Sequence, residues 1–313
     1  MYIGIDLGGT NIAIGLVDKS GKIISSGSRP TEAKRHYSEI VKDMAELSFE
    51  LMEKAGLSKS DIEGVGIGSP GTIDSKNGVV IYSNNIEWNN VPLADELKKY
   101  IDVPIAVEND ANAAAYGEYY INGNNVDSFV AITLGTGVGG GVIINKGIYR
   151  GFNGAGGELG HSVLIHNSDN LCTCGRYGCW ETYASVTALI SQTKKAIEEN
   201  PDSLMAKSAK ENGKVSGRTA FDAAKAGDAA AQKVVDQYIE YVASGITNMI
   251  NIFQPEILVI GGGISKEGDY LLNPIKEYAK KYSYCKAVEQ TEIKIATLMN
   301  DAGIIGAALA SAL

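Results

Sequence analysis

The chain has 313 residues, 44% of them hydrophobic, which is enough for two packed cores because a single core stops growing near ~250–300 residues. Its 28 Lys+Arg against 37 Asp+Glu leave a net charge of -9 and no basic run, which excludes nucleic acid and anionic membrane surfaces as partners; phosphates stay possible, because a nest of backbone N–H groups holds them against the net field. No stretch approaches ~18 consecutive apolar residues, and the chain enters a strand at residue 2 with no leader before it, so a cytoplasmic protein is expected.

Residues 2–7 (YIGIDL) are apolar and β-rich, Gly8-Gly9-Thr10-Asn11 punctuates, and residues 12–18 alternate again, predicting strand, glycine turn, strand. Residues 22–28 predict a third strand. Ile40, Val41, Met44, Leu47 and Leu51 recur at helical spacing, so residues 37–55 predict a helix that ends at Gly56. Residues 64–71 (GVGIGSPG) read as a buried strand emptying into a Pro-Gly loop. A helix starts at Pro92, residues 104–109 form a strand and residues 110–119 a helix. The pattern then restarts, with a strand at 129–134, a glycine turn at 135–141 and a strand resuming at 142–144. The likeness of 2–18 to 129–144 predicts an internal duplication. A long helical run from about Glu181 to Phe253 breaks near Pro201 and Gly213–Gly217, followed by a strand at 257–263 and an apolar helix at 302–313. The expected fold class is α/β, two domains flanking a cleft: residues 1–117 with about 301–313 in the smaller, residues 118–300 in the larger.

Glycines at the end of the first strand remove Cβ atoms, so phosphate oxygens can approach the N–H groups of Gly8, Gly9, Thr10 and Asn11. Asp6 beside them could orient a Mg²⁺ ion through water; the competing reading is a plain hairpin turn. Leu134–Gly141 holds five glycines in eight positions, where a turn needs one or two. Two such loops facing each other would clamp a triphosphate, here through Gly135, Thr136 and Gly137. Gly261, Gly262 and Gly263 would pass close to the adenine or ribose, or simply turn a strand into a helix. In Glu108-Asn109-Asp110-Ala111-Asn112, Asp110 falls in the first turn of a helix, whose dipole favours an ionised carboxylate able to take a proton from a sugar hydroxyl. A helix cap without chemistry is the alternative.

Four cysteines in so long a chain are not a disulfide scaffold, and three crowd into residues 172–179. His161 with Cys172, Cys174 and Cys179 matches a closed Cys₃His structural zinc set, which leaves no open position for catalysis; buried free thiols are the alternative. Cys285 is isolated and is read as a core residue. Glu158 precedes His161 by three residues, and Glu181 follows Cys179 by two. The metal would therefore hold three polar side chains as a rigid cradle for sugar hydroxyls, using the second ring nitrogen of His161.

DLGGTN, LGTGVGGG, ELGH and CTCGRYGCWE together resemble the repressor–ORF–kinase (ROK) family of bacterial sugar kinases, of the actin-like ATPase (ribonuclease H-like) duplicated fold. The resemblance runs from residue 2 to the C-terminus. It implies that Gly8–Asn11 and Gly135–Gly141 hold the nucleotide phosphates, that Asp110 is the catalytic base, that Asn109, Glu158, His161 and Glu181 contact the sugar, and that His161, Cys172, Cys174 and Cys179 bind zinc. SPGTID (69–74), with Gly71, and NNIEW (84–88) are similar to the family's sugar-facing segments. Asn85 aligns with the sugar contact, Asn84 competes for it, and both read equally as turn residues. GCWETYAS and NGAGGELGH are most similar to the glucokinases, implying glucose, ATP and Mg²⁺ as reactants and a homodimer or homotetramer. Kinases for fructose, mannose and N-acetylmannosamine share the same Glu-His-Glu set. Repressors of the family carry an N-terminal DNA-binding domain, whereas this chain starts on the first kinase strand and is acidic; a non-catalytic sugar sensor would be expected to lose Asp110 or the glycine loops, and both are present.

Overall fold

The computed structural model describes residues 1–123 and 125–312. In chain order the elements are β1 (Tyr2–Leu7), β2 (Asn11–Val17), β3 (Ile23–Pro30), α1 (Tyr37–Lys54), β4 (Gly64–Ser69), β5 (Thr72–Asp74), β6 (Val79–Ser83), β7 (Trp88–Val91), α2 (Leu93–Lys98), β8 (Ile105–Asn109) and α3 (Asp110–Asn122). There follow β9 (Ser128–Leu134), β10 (Val138–Ile144), β11 (Gly147–Ile148), α4 (Glu181–Ala184), α5 (Val186–Glu199), α6 (Leu204–Asn212), α7 (Thr219–Lys225), α8 (Ala229–Phe253), β12 (Ile257–Gly261), α9 (Asp269–Tyr282), β13 (Glu292–Ile295) and α10 (Ala302–Ala310). No described helix is long and apolar enough to cross a membrane.

The chain packs as two compact units. One comprises Met1–Val130, Gly141–Gly157 and Thr297 onward; the other comprises Ala131–Gly140 and Glu158–Ala296. A division at 117/118 would cut α3, which runs unbroken from Asp110 to Asn122. The two five-stranded sheets repeat one plan, β3-β2-β1-β4-β8 and β11-β10-β9-β12-β13. Each has an antiparallel hairpin at one edge (β2 with β3, β10 with β11) and a parallel pair at the other (β4 with β8, β12 with β13). That is the duplication the sequence predicts.

Local rules account for most boundaries. α1 buries Ile40, Val41, Met44, Leu47 and Leu51 on one face, starts where the His36 ring accepts from the Ser38 N–H, and stops before Gly56 at φ +69°. Pro92 precedes α2 as its N-cap, and Asp228 caps α8 by accepting from the Ala230 and Ala231 N–H groups. Three expectations change. The strand expected at 142–144 already begins at Val138, so Gly139, Gly140 and Gly141 are strand residues. The helical run 181–253 is five helices, broken also at Ser185 and at Gly227-Asp228. Residues 72–91, for which no strand is expected, contain the small sheet β5-β6-β7.

Glycines in the first unit serve packing. The apolar helix α10 lies on the sheet at backbone distance: a Cβ on Gly4 would lie 1.9 Å from the Ile304 carbonyl oxygen, and one on Gly66 would lie 1.7 Å from that of Ala307. α3 and α10 approach equally closely, since a Cβ on Gly306 would fall 1.7 Å from the Ala113 carbonyl oxygen. These neighbours are backbone and cannot swing aside. Gly66→Ala is therefore expected to cost about 3 kcal/mol or more, well beyond a glycine-to-alanine change in an open strand. A urea unfolding midpoint equal to wild type would contradict this packing.

Candidate active site

In the first unit, β1, β4 and β8 run parallel and end together, with Asp6 opposite Gly68, Gly68 opposite Glu108 and Ser69 opposite Asn109. A Cβ on Gly68 would lie 3.2 Å from Ala113 Cβ and 3.5 Å from Asp110 Cα, so the glycine is what admits the first turn of α3. Asn109, not Asp110, is the N-cap. Its Oδ1 accepts from the Ala111 N–H (3.0 Å) and the Asn112 N–H (3.1 Å), while its Nδ2 donates to the Gly71 carbonyl (3.1 Å). Gly71 sits at φ +107°, where a Cβ would strike the Tyr82 carbonyl oxygen at 2.1 Å. Asn84 and Asn85 are exposed; it is Asn85 whose backbone lies against Gly9.

The electrostatics correct the dipole argument. Burial pushes the Asp110 carboxyl above the usual range, and the Ala111 and Asp110 backbone N–H groups offset this only in part. Asp6 is pushed up to about 6, by burial first and then by the charge of Asp110. The helix terminus is outweighed by desolvation, which makes Asp110 a stronger base than an exposed aspartate.

Two residues escape sequence reasoning. The buried Glu108 accepts from the Asn109 N–H (2.9 Å), Asn112 Nδ2 (3.1 Å) and Arg150 Nε (2.6 Å). It ties the Asn109-Asp110 turn to the glycine-rich segment after β11. An acidic residue closing an apolar strand was the only signal, and Arg150 gave none.

In the second unit the glycine loop is short. The Gly135 N–H donates to the Gly137 carbonyl (3.0 Å), and the start of α5 closes on the turn through the Val186 N–H to the Gly135 carbonyl (2.8 Å) and Thr187 Oγ1 to the Thr136 carbonyl (2.7 Å). Glu181 Oε2 accepts from the Val138 N–H (3.0 Å), and a Cβ on Gly137 would lie 2.0 Å from that oxygen. Gly137 thus makes room for a carboxylate. Gly140 makes room for Leu159, and Gly262, at φ +90°, lies against the Leu134 carbonyl. Gly261 ends β12 and Gly263 is exposed after it.

His161, Cys172, Cys174 and Cys179 converge, their candidate ligand atoms all within 4.8 Å of one another. Cys174 Sγ lies 3.6 Å from Cys179 Sγ, and Cys172 Sγ lies 3.4 Å from His161 Nδ1. These separations match the edges of a tetrahedron with Zn–S and Zn–N bonds of about 2.3 and 2.1 Å. The knuckle is closed by the Cys172 N–H to the Arg176 carbonyl and the Gly175 N–H to the Cys172 carbonyl. Without a cation, burial pushes the Cys179 thiol up to about 12, so three thiolates there require a positive partner. Glu181 Oε1 lies 3.6 Å from Cys172 Sγ. Beside it, Trp180 is fully buried, donates Nε1–H to the Tyr241 carbonyl (2.9 Å) and packs on Gly245, which anchors Glu181 to α8. Glu158 is exposed at the head of the short 3₁₀ turn Leu159–His161.

A repeated mixed sheet, a carboxylate at the head of the helix after a parallel strand, and a His-Cys₃ knuckle define the class. The ROK family model matches residues 2–312, and the chain belongs to the ROK family. It is 39% identical over 306 residues to the glucokinase of Halalkalibacterium halodurans, covering 97% of this chain and 93% of that one. It is also 39% identical over 308 residues to the glucokinase of Thermotoga maritima, covering 98% and 95%. Among solved structures it is similar to a ROK family glucokinase from Streptomyces griseus in complex with glucose and AMPPNP, with a TM-score of 0.82, 34% identity and 99% and 98% of the two chains covered. The fold is the duplicated α/β fold of that family.

The raised Asp6 carboxyl sets a pH dependence. The folded state holds the extra proton between the unfolded value, near 3.8, and about 6, so this contribution to stability is fully present below pH 4 and is lost as pH rises through 6. Asp6→Asn should therefore raise the melting temperature at pH 7.5, on the order of 2–4 °C per kcal/mol relieved, with the gain vanishing by pH 4. A gain independent of pH would contradict the assigned cause.

Proposed function

We propose that this chain is a glucokinase, moving the γ-phosphoryl group of ATP onto the 6-hydroxyl of glucose. The observation that carries the reading is Asp110, a half-buried carboxylate of raised proton affinity at the head of α3, in a chain whose relatives are named glucokinases. Asp110 takes the proton of the attacking hydroxyl. Because the transfer is loose, the base mainly positions that hydroxyl and receives its proton late. Asn109, fixed by its capping bonds, and Asn85 are sugar contacts through their amide groups, and Glu158, His161 and Glu181 through carboxylate and imidazole groups. The turn Gly8–Asn11, through the Gly9 and Thr10 N–H groups, and the loop Gly135–Gly137 are the phosphate-binding segments. Gly261–Gly263 flank the adenosine. Asp6 would hold, through water, the Mg²⁺ that accompanies ATP, and that ion's charge would offset the charge of the phosphates.

The zinc set belongs to the same reading. A structural zinc ion on His161 Nδ1, Cys172, Cys174 and Cys179 locks the knuckle and supplies no open coordination position. His161 would then keep Nε2–H for a sugar hydroxyl, while Glu181 stays fixed by the Val138 N–H. The charge and the apolar-span readings agree with a cytoplasmic enzyme.

ADP release in a coupled assay, run over a panel of hexoses, tests the function. Glucose is expected to give the highest kcat/KM, and no hexose-dependent turnover of ATP would contradict the proposal. Asp110→Ala should lower kcat by about 10²–10⁴-fold while calorimetry still detects glucose binding; turnover near wild type would remove Asp110 from its role. Metal-free protein, verified by elemental analysis, should bind glucose roughly tenfold more weakly with its nucleotide affinity intact. Unchanged glucose affinity would contradict the cradle.

A further inference from the structure

The hairpin turn Gly8–Asn11 has an unusual hydrogen-bond account. The Gly8 N–H is taken within the turn by the Asn11 carbonyl (2.9 Å). The Gly8 carbonyl accepts from Thr31 Oγ1 (2.6 Å), and the Thr10 carbonyl accepts from the Thr31 N–H (2.8 Å). Among the described residues, the N–H groups of Gly9 and Thr10 have no partner. Thr31 itself is fully buried, and its third polar group is occupied as well, because its carbonyl accepts from Arg35 Nη2 (2.9 Å). Arg35 is in turn paired with Asp43 on α1 (2.6 Å). One residue, anchored through Arg35 to a helix, thus grips two carbonyls of a four-residue turn, one with its hydroxyl and one with its backbone N–H, and leaves two adjacent donors unclaimed.

We propose that Thr31 is a positioning residue for nucleotide binding: by holding the Gly8 and Thr10 carbonyls it keeps the Gly9 and Thr10 N–H groups aimed outward to receive phosphate oxygens. This rests on the kinase reading and extends it to a residue outside every motif of the sequence. A carbonyl released from Thr31 would be free to rotate toward the phosphates, replacing a donor by a repulsive acceptor. Neither glycine of the turn has a positive φ, so its shape comes from this grip and not from glycine alone. Threonine suits the task because its backbone N–H and side-chain hydroxyl act in parallel, and its branched Cβ limits the rotamers that would release the hydroxyl.

The test compares wild type, Thr31→Val and Thr31→Ser by calorimetric titration with AMPPNP and Mg²⁺, alongside KM for ATP and for glucose. Thr31→Val keeps the shape and removes one hydrogen bond, so AMPPNP affinity should fall and KM for ATP rise roughly tenfold, with KM for glucose unchanged. Thr31→Ser, which retains the hydroxyl, should restore most of the affinity. A general structural lesion would instead move both KM values and would not be rescued by serine, which overturns the proposal. Should the valine variant fail to fold, Thr31→Ala removes the same hydroxyl without its bulk and is read identically. Wild type that binds AMPPNP, with a hydroxyl-free variant binding it equally well, overturns the positioning role alone. Wild type that binds no AMPPNP overturns the kinase reading, and the role of Thr31 with it.

Discussion

The approach of α10 to the sheet of the first unit at Gly4 and Gly66, and to α3 at Gly117 and Gly306, close enough to need glycine at all four, is the constraint from which the rest follows. A helix lying at backbone distance on strands cannot shift by a fraction of an ångström without collision. It therefore fixes where the strands β1, β4 and β8 end and where α3 begins. Gly68 lies at the reactive end, where a Cβ would press on Ala113 Cβ at 3.2 Å and lie 3.5 Å from Asp110 Cα, so α3 packs closely on the strand tips there as well. The high glycine content is thus mostly a property of packing, and catalytic geometry is one of its consequences.

The two units solve opposite electrostatic problems. The first collects the carboxylates of Asp6 and Asp110 in a poorly solvated place, where both are held more basic than usual and repel one another. Under the proposed function, a cation beside Asp6 and a hydroxyl beside Asp110 would each relieve that cost. Glu108, also buried, avoids the cost by meeting Arg150, Asn112 and a backbone N–H. The second unit gathers Cys172, Cys174 and Cys179 around His161 and places Glu181 beside that cluster. Each group is rigid because something other than substrate already satisfies part of it.

Much of this was legible in the sequence, for reasons that are local. The repeated strand–glycine–strand pattern is short-range, and so is the cysteine knuckle; both map directly onto β1–β2, β9–β10 and the cluster around Cys172. What was not legible depends on partners the fold brings together. Gly137, Gly139, Gly140 and Gly141 read as one phosphate loop, yet Gly137 yields to Glu181, the last three are strand residues, and Gly140 and Gly141 pack against neighbours. The sign of the Asp110 shift depends on burial that no spacing reveals. Glu108 and Arg150 are 42 residues apart. β5 is three residues long, too short for its alternation to stand out, and α9 carries Pro274 inside a helical pattern, so neither announces itself.

The central claim, that a phosphoryl group passes from ATP to a sugar hydroxyl presented to Asp110, is tested most directly by following the phosphorus itself. A ³¹P NMR time course of the chain with Mg²⁺, ATP and glucose should show the γ-phosphate signal of ATP replaced by a phosphomonoester split by two methylene protons, the signature of the 6-position. Accumulation of inorganic phosphate alone, or of no new phosphorus signal, would contradict the account.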